Sequence, residues 1–167
     1  MMRLDDTIAA IATPLQPAGL GVIRVSGTEA VSIVEPLFKG AGRTLRKAET
    51  NKLVHGWIHD DAKLIDQVLV VVMRAPHSYT TEDVVEIQCH GSPFVLRSIL
   101  DLVLGQGARL AEAGEFTQRA FLHGRLDLTQ VEAVADLIHA DSDVGAKLAA
   151  QQLHGKLFHA IEAVKKK

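Results

Sequence analysis

Six consecutive apolar residues, Val68 to Met73, form the longest wholly apolar run in the chain. The run is far short of a bilayer span, which needs about 20 apolar residues. It is also shorter than most helices, and its valine content suits a strand, so it reads as a central strand of a sheet. That strand is placed over Leu64 to Met73 and its partner over Leu53 to His59, with Asp60-Asp61-Ala62-Lys63 turning a β-hairpin. Further strands are expected at Thr7 to Thr13, Val22 to Val25, Val84 to Cys89 and Ala108 to Leu110. Pro14, Pro17, Gly19 and Gly21 read as a rigid turn-rich connection, Lys39 to Asn51 as a loop, and Pro76 to Asp83 as another.

Helical signals fall between these strands and then take over. Ser26 and Glu29 have capping-box spacing ahead of Ala30, Val31, Val34 and Phe38. After a turn at His90-Gly91, Ser92 is placed as the N-cap and Pro93 as the first residue of a helix to Leu104. From Glu115 onward the pattern is helical throughout. One helix ends at Gly124, a second opens on a Thr129–Glu132 capping box, and a third runs from Ser142 to Lys167. The apolar stripe of that third helix (Ala146, Ala150, Leu153, Leu157, Ile161, Val164) is expected to pack on something beyond the chain. The fold class is therefore α+β: a mixed β-sheet with packed helices over residues 1–114, followed by an incomplete all-helical segment over 115–167.

Composition removes several functions. With 47% hydrophobic residues in 167, the chain can bury a core and is not intrinsically disordered. Arg3, Asp5 and Asp6 interrupt the N-terminus before a signal-peptide core could form. Cys89 is the only cysteine, so no disulfide framework exists and a reducing, cytoplasmic location is expected. Eighteen basic against twenty acidic side chains give a formal charge of −2, which argues against bulk electrostatic capture of nucleic acid by this chain alone. No membrane association is expected.

The residues that could carry chemistry are few. No G-x-x-x-x-G-K-[ST] occurs, and Gly19-Leu20-Gly21 precedes a strand rather than a helix, so neither nucleotide-binding loop is present. His55 and His59 share a strand face with Trp57, but no further ligand completes a metal site. Cys89 alternates with Val85 and Ile87, which makes it a buried, unactivated thiol, so no catalytic residue and no metal site is assigned. Glu86 is the informative exception. It lies in Val84-Val85-Glu86-Ile87, on the same face as Gln88, where a carboxylate is costly to desolvate without donors. Arg24 sits equally oddly among Val22, Ile23 and Val25. The two either pair inside the fold or face a ligand, Glu86 accepting two adjacent donors and Arg24 supplying a cation. The N-terminus of the helix at Ser92-Pro93 can receive an anionic group. Arg125, between two helices, is a third candidate for an acidic ligand.

Five stretches are more specific. Asp6-Thr7-Ile8-Ala9-Ala10-Ile11-Ala12-Thr13-Pro14 and Gly21-Val22-Ile23-Arg24-Val25-Ser26-Gly27 open the chain. Ser78-Tyr79-Thr80-Thr81-Glu82-Asp83-Val84-Val85-Glu86-Ile87-Gln88-Cys89-His90-Gly91 and Gly114-Glu115-Phe116-Thr117-Gln118-Arg119-Ala120-Phe121 follow. His123-Gly124-Arg125-Leu126-Asp127-Leu128 through Glu132-Ala133-Val134-Ala135-Asp136-Leu137-Ile138 is the last. In this order, over nearly the whole chain, they resemble the MnmE (TrmE) family of tRNA modification GTPases. The family usually has glycine where this chain has Thr81, proline at Ala113, asparagine at His123 and lysine at Arg125. The last difference exchanges a point charge for a planar fork.

The resemblance implies an N-terminal domain like the tetrahydrofolate-binding domains of aminomethyltransferases, followed by the first helices of a helical domain. It implies a homodimer and a bound tetrahydrofolate derivative, in the 5-formyl or 5,10-methylene form. The family's folate contacts carry over to Arg24, Glu86 and Arg125. A Ras-like GTPase domain, with its GTP, magnesium and potassium, belongs to the family but not to this chain, so no activity is expected of the chain alone. The full-length family protein works with the FAD-dependent partner MnmG on the wobble uridine of tRNA. Two other readings remain at this point: a stand-alone folate-dependent one-carbon transferase, and a dimerisation scaffold without ligand.

Overall fold

The structure, a computed structural model, describes residues 6–155 except 41, 43 and 62. The chain divides into two compact units, Met1–Phe116 and Thr117–Lys167. The first contains β1 (Ile8–Ile11), β2 (Ala18–Ser26), α1 (Ala30–Val34), β3 (Phe38–Gly40), β4 (Leu53–Asp60), β5 (Lys63–Met73), β6 (Val84–Gly91), α2 (Pro93–Gly105) and β7 (Arg109–Leu110). The boundary falls inside α3 (Glu115–Leu122), after which come α4 (Leu128–Ile138) and α5 (Asp143–Leu153). The architecture is α+β.

The strands form one sheet in the order β3-β4-β5-β6-β2-β1-β7. It is mixed: β1 and β7 run parallel and the other neighbours antiparallel. Side-chain alternation divides each strand between two faces. Ile23 and Val25 of β2, Val85 and Ile87 of β6, and Val70 and Val72 of β5 are buried in one core with Val31 and Val34 of α1 and Leu96, Ile99 and Val103 of α2. Burial of such side chains stabilises by roughly 1.5–3 kcal/mol each. Gly21 is what lets α2 approach: a Cβ there would lie 2.8 Å from Leu96 Cδ2.

The opposite face is more open, and here the apolar run behaves differently from expectation. β5 is interior in strand order, yet only alternate residues of the run are buried, and Leu69 is 38% exposed. Leu53 and Trp57 of β4 stand on the same open face, across from Val71 and Gln67. Among the described residues, no helix is long and apolar enough to cross a membrane.

Local signals were misplaced in several places. β2 starts at Ala18, four residues early, because the Ala18–Gly21 stretch pairs with β6 through a register irregularity. His90-Gly91 accordingly ends β6 and makes no turn there. Ser26 belongs to β2 and caps nothing; α1 has Glu29 at its N-cap with no side-chain cap bond. Pro36 converts the helix into a 3-10 turn, Glu35–Leu37, and Phe38 passes into β3. The stretch expected as a loop from Lys39 thus contains the end of β3 and a 3-10 turn, Leu45–Lys47. Ser92 occupies the N-cap of α2 and Pro93 its first turn, but the serine side chain makes no cap bond.

In the second unit the capping box of α4 is Asp127–Gln130, not Thr129–Glu132. Asp127 accepts from the Gln130 amide at 2.9 Å and from the Thr129 hydroxyl at 2.6 Å, while the Gln130 side chain accepts from the Asp127 amide at 3.0 Å. Ser142 caps α5 as expected, accepting from the Gly145 amide at 3.2 Å. That helix ends at Leu153 instead of continuing: Gly155 has φ +84°, the left-handed conformation that terminates helices. Ala149 is its buried residue, and Ala150 is exposed. The expected continuation through Leu157, Ile161 and Val164 lies outside the described residues.

Burial alone would raise the Asp127 carboxyl, but the bonds from Thr129 and from the Gln130 and Thr129 amides outweigh it and hold the pKa below the ordinary carboxylate value. A depressed folded-state pKa contributes stability that is present above the unfolded value and lost as pH falls through the folded one. Asp127→Ala should therefore cost about 0.5–2 kcal/mol in denaturant unfolding at neutral pH. The gap from the parent chain should close in acid; a gap independent of pH would mean the cap does not depend on the ionised carboxylate.

Candidate functional site

The site starts from strand register. β2 and β6 pair antiparallel with Arg24 directly opposite Glu86, on the face turned away from the helices. Their neighbours Ile23, Val25, Val85 and Ile87 are fully buried on the other side, so the two polar chains are carried onto the open face by alternation alone. Arg24 donates to Glu86 Oε1 from Nε at 2.8 Å, and its Nη2 lies 2.7 Å from the same oxygen as an ion pair. The side chains retain 27% and 20% exposure. Of the two arrangements open from sequence, pairing inside the fold is therefore present, and both contacts converge on one carboxylate oxygen.

Two aromatic rings complete the surroundings. The guanidinium carbon of Arg24 lies 5.3 Å from the ring centroid of Tyr79 and 5.5 Å from that of Phe116. Both distances suit cation–π contact. Neither ring was singled out from sequence. Tyr79 is the only tyrosine and Phe116 follows Gly114-Glu115, so both stand inside family-like motifs, which is the signal that could have found them.

Each ring is held by a polar cluster at the adjoining residue. Beside Tyr79, the buried hydroxyls of Ser26 and Thr80 are 2.6 Å apart, and Ser26 also donates to Glu82 Oε2 at 2.6 Å. Ser78 donates to the Glu82 carbonyl at 2.5 Å. At the base of the loop, Arg74 pairs with Asp83 at 3.0 Å and donates to the Leu45 and Arg46 carbonyls. Ser26, read as a helix cap, is thus an anchor of this loop. Beside Phe116, the fully buried Glu115 receives Arg109 Nη2 at 2.6 Å and Nη1 at 3.1 Å, and accepts from the Glu112 amide at 2.7 Å. Arg109 Nε reaches Asp6 at 2.6 Å, so β7, the N-terminal segment and the start of α3 share one charged clasp. Glu115 first, then Asp6, holds the Arg109 guanidinium still more firmly protonated than usual.

The remaining candidates divide. Arg125 lies in the second unit, in the exposed turn after α3, where its amide donates to the Ala120 carbonyl at 2.9 Å. Cys89 is buried, donates to the Gly21 carbonyl at 3.6 Å, and has its thiol pushed up to about 12 by burial and then by Asp66. It is protonated at neutral pH and a poor nucleophile. His55 contacts Gln67 at 2.5 Å and meets Trp57 edge-on at 6.4 Å, while a register irregularity separates His59 from Ile58. Among the described residues, no three His, Cys, Asp or Glu side chains are grouped to hold a metal ion.

The open face of the sheet thus carries a carboxylate and an arginine paired with one another and flanked by two rings. The comparisons agree with the motif order. Residues 7–125 match the family described as the GTP-binding protein TrmE N-terminus, and the chain belongs to that family, as the N-terminal part of an MnmE-type protein. It is 52% identical to a tRNA modification GTPase MnmE of Carboxydothermus hydrogenoformans over 98% of this chain and 36% of the relative. For the proteins of the same name from Lachnoclostridium phytofermentans and Alkaliphilus metalliredigens the identities are 46% and 49%, covering 96% and 98% of this chain and 35% and 36% of theirs. The chain thus spans about a third of the length of the curated relatives it matches.

Within the loop that carries Tyr79, one residue has a left-handed backbone. Thr81 adopts φ +64°, a region that costs a β-branched residue about 1–2 kcal/mol. Glycine would relieve this but lose more freedom on folding, about 0.5–1 kcal/mol. Thr81→Gly should therefore stabilise slightly, raising the melting temperature by up to about 2–4 °C. An unchanged or lower value would show that the surrounding hydroxyl network compensates for the strained backbone.

Proposed function

We propose that this chain is the tetrahydrofolate-binding and homodimerisation part of a tRNA modification GTPase. The observation that carries the reading is Glu86, a carboxylate set on an open sheet face beside a cation and two aromatic rings. The pterin of a folate presents a ring N–H and an exocyclic amine side by side, and a carboxylate accepts both. Arg24 supplies a cation for the carboxylates of the glutamate tail or for carbonyl groups, and the resemblance to the family carries a folate contact over to Arg125 as well. The family membership supports a fold of the tetrahydrofolate-binding aminomethyltransferase kind and a 5-formyl or 5,10-methylene ligand.

Dimerisation is assigned to the open face of β4 and β5, where Leu53, Trp57 and Leu69 are exposed. A second copy there would explain why alternate residues of the longest apolar run are left uncovered. In the whole protein, GTP hydrolysis with magnesium and potassium belongs to a domain outside this sequence. The wobble uridine of tRNA is then modified in the cytoplasm together with the FAD-dependent MnmG. This chain contributes ligand binding and assembly, not catalysis.

One observation favours a second reading, a scaffold without ligand: Arg24 and Glu86 already satisfy each other. Calorimetric titration of 5-formyltetrahydrofolate into the chain separates the two. Saturable binding is expected, and Glu86→Ala should weaken it by about 2–4 kcal/mol, because buried donors lose a charged acceptor. A folded Glu86→Ala chain that binds like the parent would sink the assignment, and a folded parent dimer indifferent to the ligand would favour the scaffold.

A further inference from the structure

We infer that Glu86, Tyr79 and Phe116 form a slot that recognises a flat guanidine-bearing group, and that Arg24 is its built-in occupant, displaced when ligand enters. The inference rests on the folate reading for the identity of the natural ligand, but the slot itself is argued from its walls.

The chemistry of occupant and ligand is the same. A guanidinium offers adjacent N–H donors in one plane, and Arg24 donates from Nε to Glu86 with Nη2 in ion-pair contact with the same oxygen. The amino-pyrimidinone edge of a pterin is a cyclic guanidine, with a ring N–H and an amino group in the same relation. Aromatic rings that receive the face of a guanidinium also stack on a heteroaromatic ring. Glu86, Tyr79 and Phe116 therefore meet each requirement of such a ring, and in the structure the Arg24 side chain meets them instead.

The walls are better fixed than the occupant. Tyr79 follows Ser78 and precedes Thr80, both held to Ser26 or Glu82, and Phe116 adjoins the fully buried Glu115. Arg24, by contrast, is 27% exposed and extends from a sheet surface, so its side chain can swing aside without moving the backbone. Binding is then an exchange of one guanidine for another on the same carboxylate. The released arginine becomes available as a cation for the ligand's acidic groups, which reconciles the observed pair with a ligand-binding role.

The test uses a pterin without tail, 2-amino-4-hydroxypteridine, followed by its fluorescence, and methylguanidinium, followed by thermal melting. Removing an intramolecular competitor raises apparent affinity, so Arg24→Ala should bind this pterin about tenfold or more tightly than the parent chain. Methylguanidinium should raise the melting temperature of Arg24→Ala and leave the parent unchanged. Adding Glu86→Gln should abolish both effects, and Tyr79→Leu or Phe116→Leu should weaken pterin binding about 3- to 10-fold each. Equal or weaker pterin binding by Arg24→Ala, with no response to methylguanidinium, overturns the inference. If the parent binds 5-formyltetrahydrofolate through Glu86 while Arg24→Ala gains nothing, the folate reading stands and the displacement fails. A methylguanidinium response without any folate binding would leave the slot and remove the folate reading. Should Arg24→Ala not fold, the Arg24 Nε–H resonance of the parent decides: it must shift on saturation with pterin, and a resonance that stays put overturns the displacement.

Discussion

The antiparallel register of β2 on β6 is the constraint on which the site depends. It sets Arg24 opposite Glu86 while sending Ile23, Val25, Val85 and Ile87 into the core. A one-residue slip of β2 would turn Arg24 into the core and Ile23 and Val25 onto the open face, and a slip of β6 would do the same to Glu86, Val85 and Ile87. The core thus specifies the site indirectly: the aliphatic residues cannot be satisfied in another register, and the charged pair is carried with them. Both side chains remain partly solvated, which keeps the desolvation cost far below that of a buried ion pair.

The two faces of the sheet do different work. One is closed by α1 and α2 and supplies the stability of the first unit. The other carries the polar pair, the rings and a strip of exposed apolar side chains on β4 and β5. Long-range polar clusters hold the rings at its margin. Asp6 and Arg109 are separated by 103 positions in sequence, and Ser26 and Glu82 by 56, so each clasp ties the ends of elements that local structure leaves unrelated. Binding residues on loops gain precision when the loop is fixed this way, because less freedom is lost when a ligand arrives.

Much of this was legible before the structure. Strand positions followed from alternation and from the Val68–Met73 run, and Glu86 and Arg24 stood out because a charge among β-branched neighbours needs a partner. Their mutual pairing was one of two open arrangements, and only the register chose it. Cys89 was read correctly as a core thiol from its alternation with Val85 and Ile87. Capping was less legible. The Ser26–Glu29 and Thr129–Glu132 spacings matched a box, but Ser26 was needed by Thr80 and Glu82, and Asp127 lay two residues ahead of Thr129 with a better acceptor. Gly155 was overlooked within an otherwise helical stretch, and its left-handed backbone ends α5.

By itself, the sequence determined the α+β class, the alternation that separates core from open face, and the family to which the chain belongs. These are encoded locally, in side-chain periodicity and in contiguous motifs. The tertiary structure alone decided that Arg24 lies on Glu86 and that Tyr79 and Phe116 close around it. It also decided that Ser26 and Glu115 anchor those rings. Such contacts join residues tens of positions apart, and no local pattern encodes them; they exist only once hydrophobic burial has selected a register and brought separate elements to one face of the sheet.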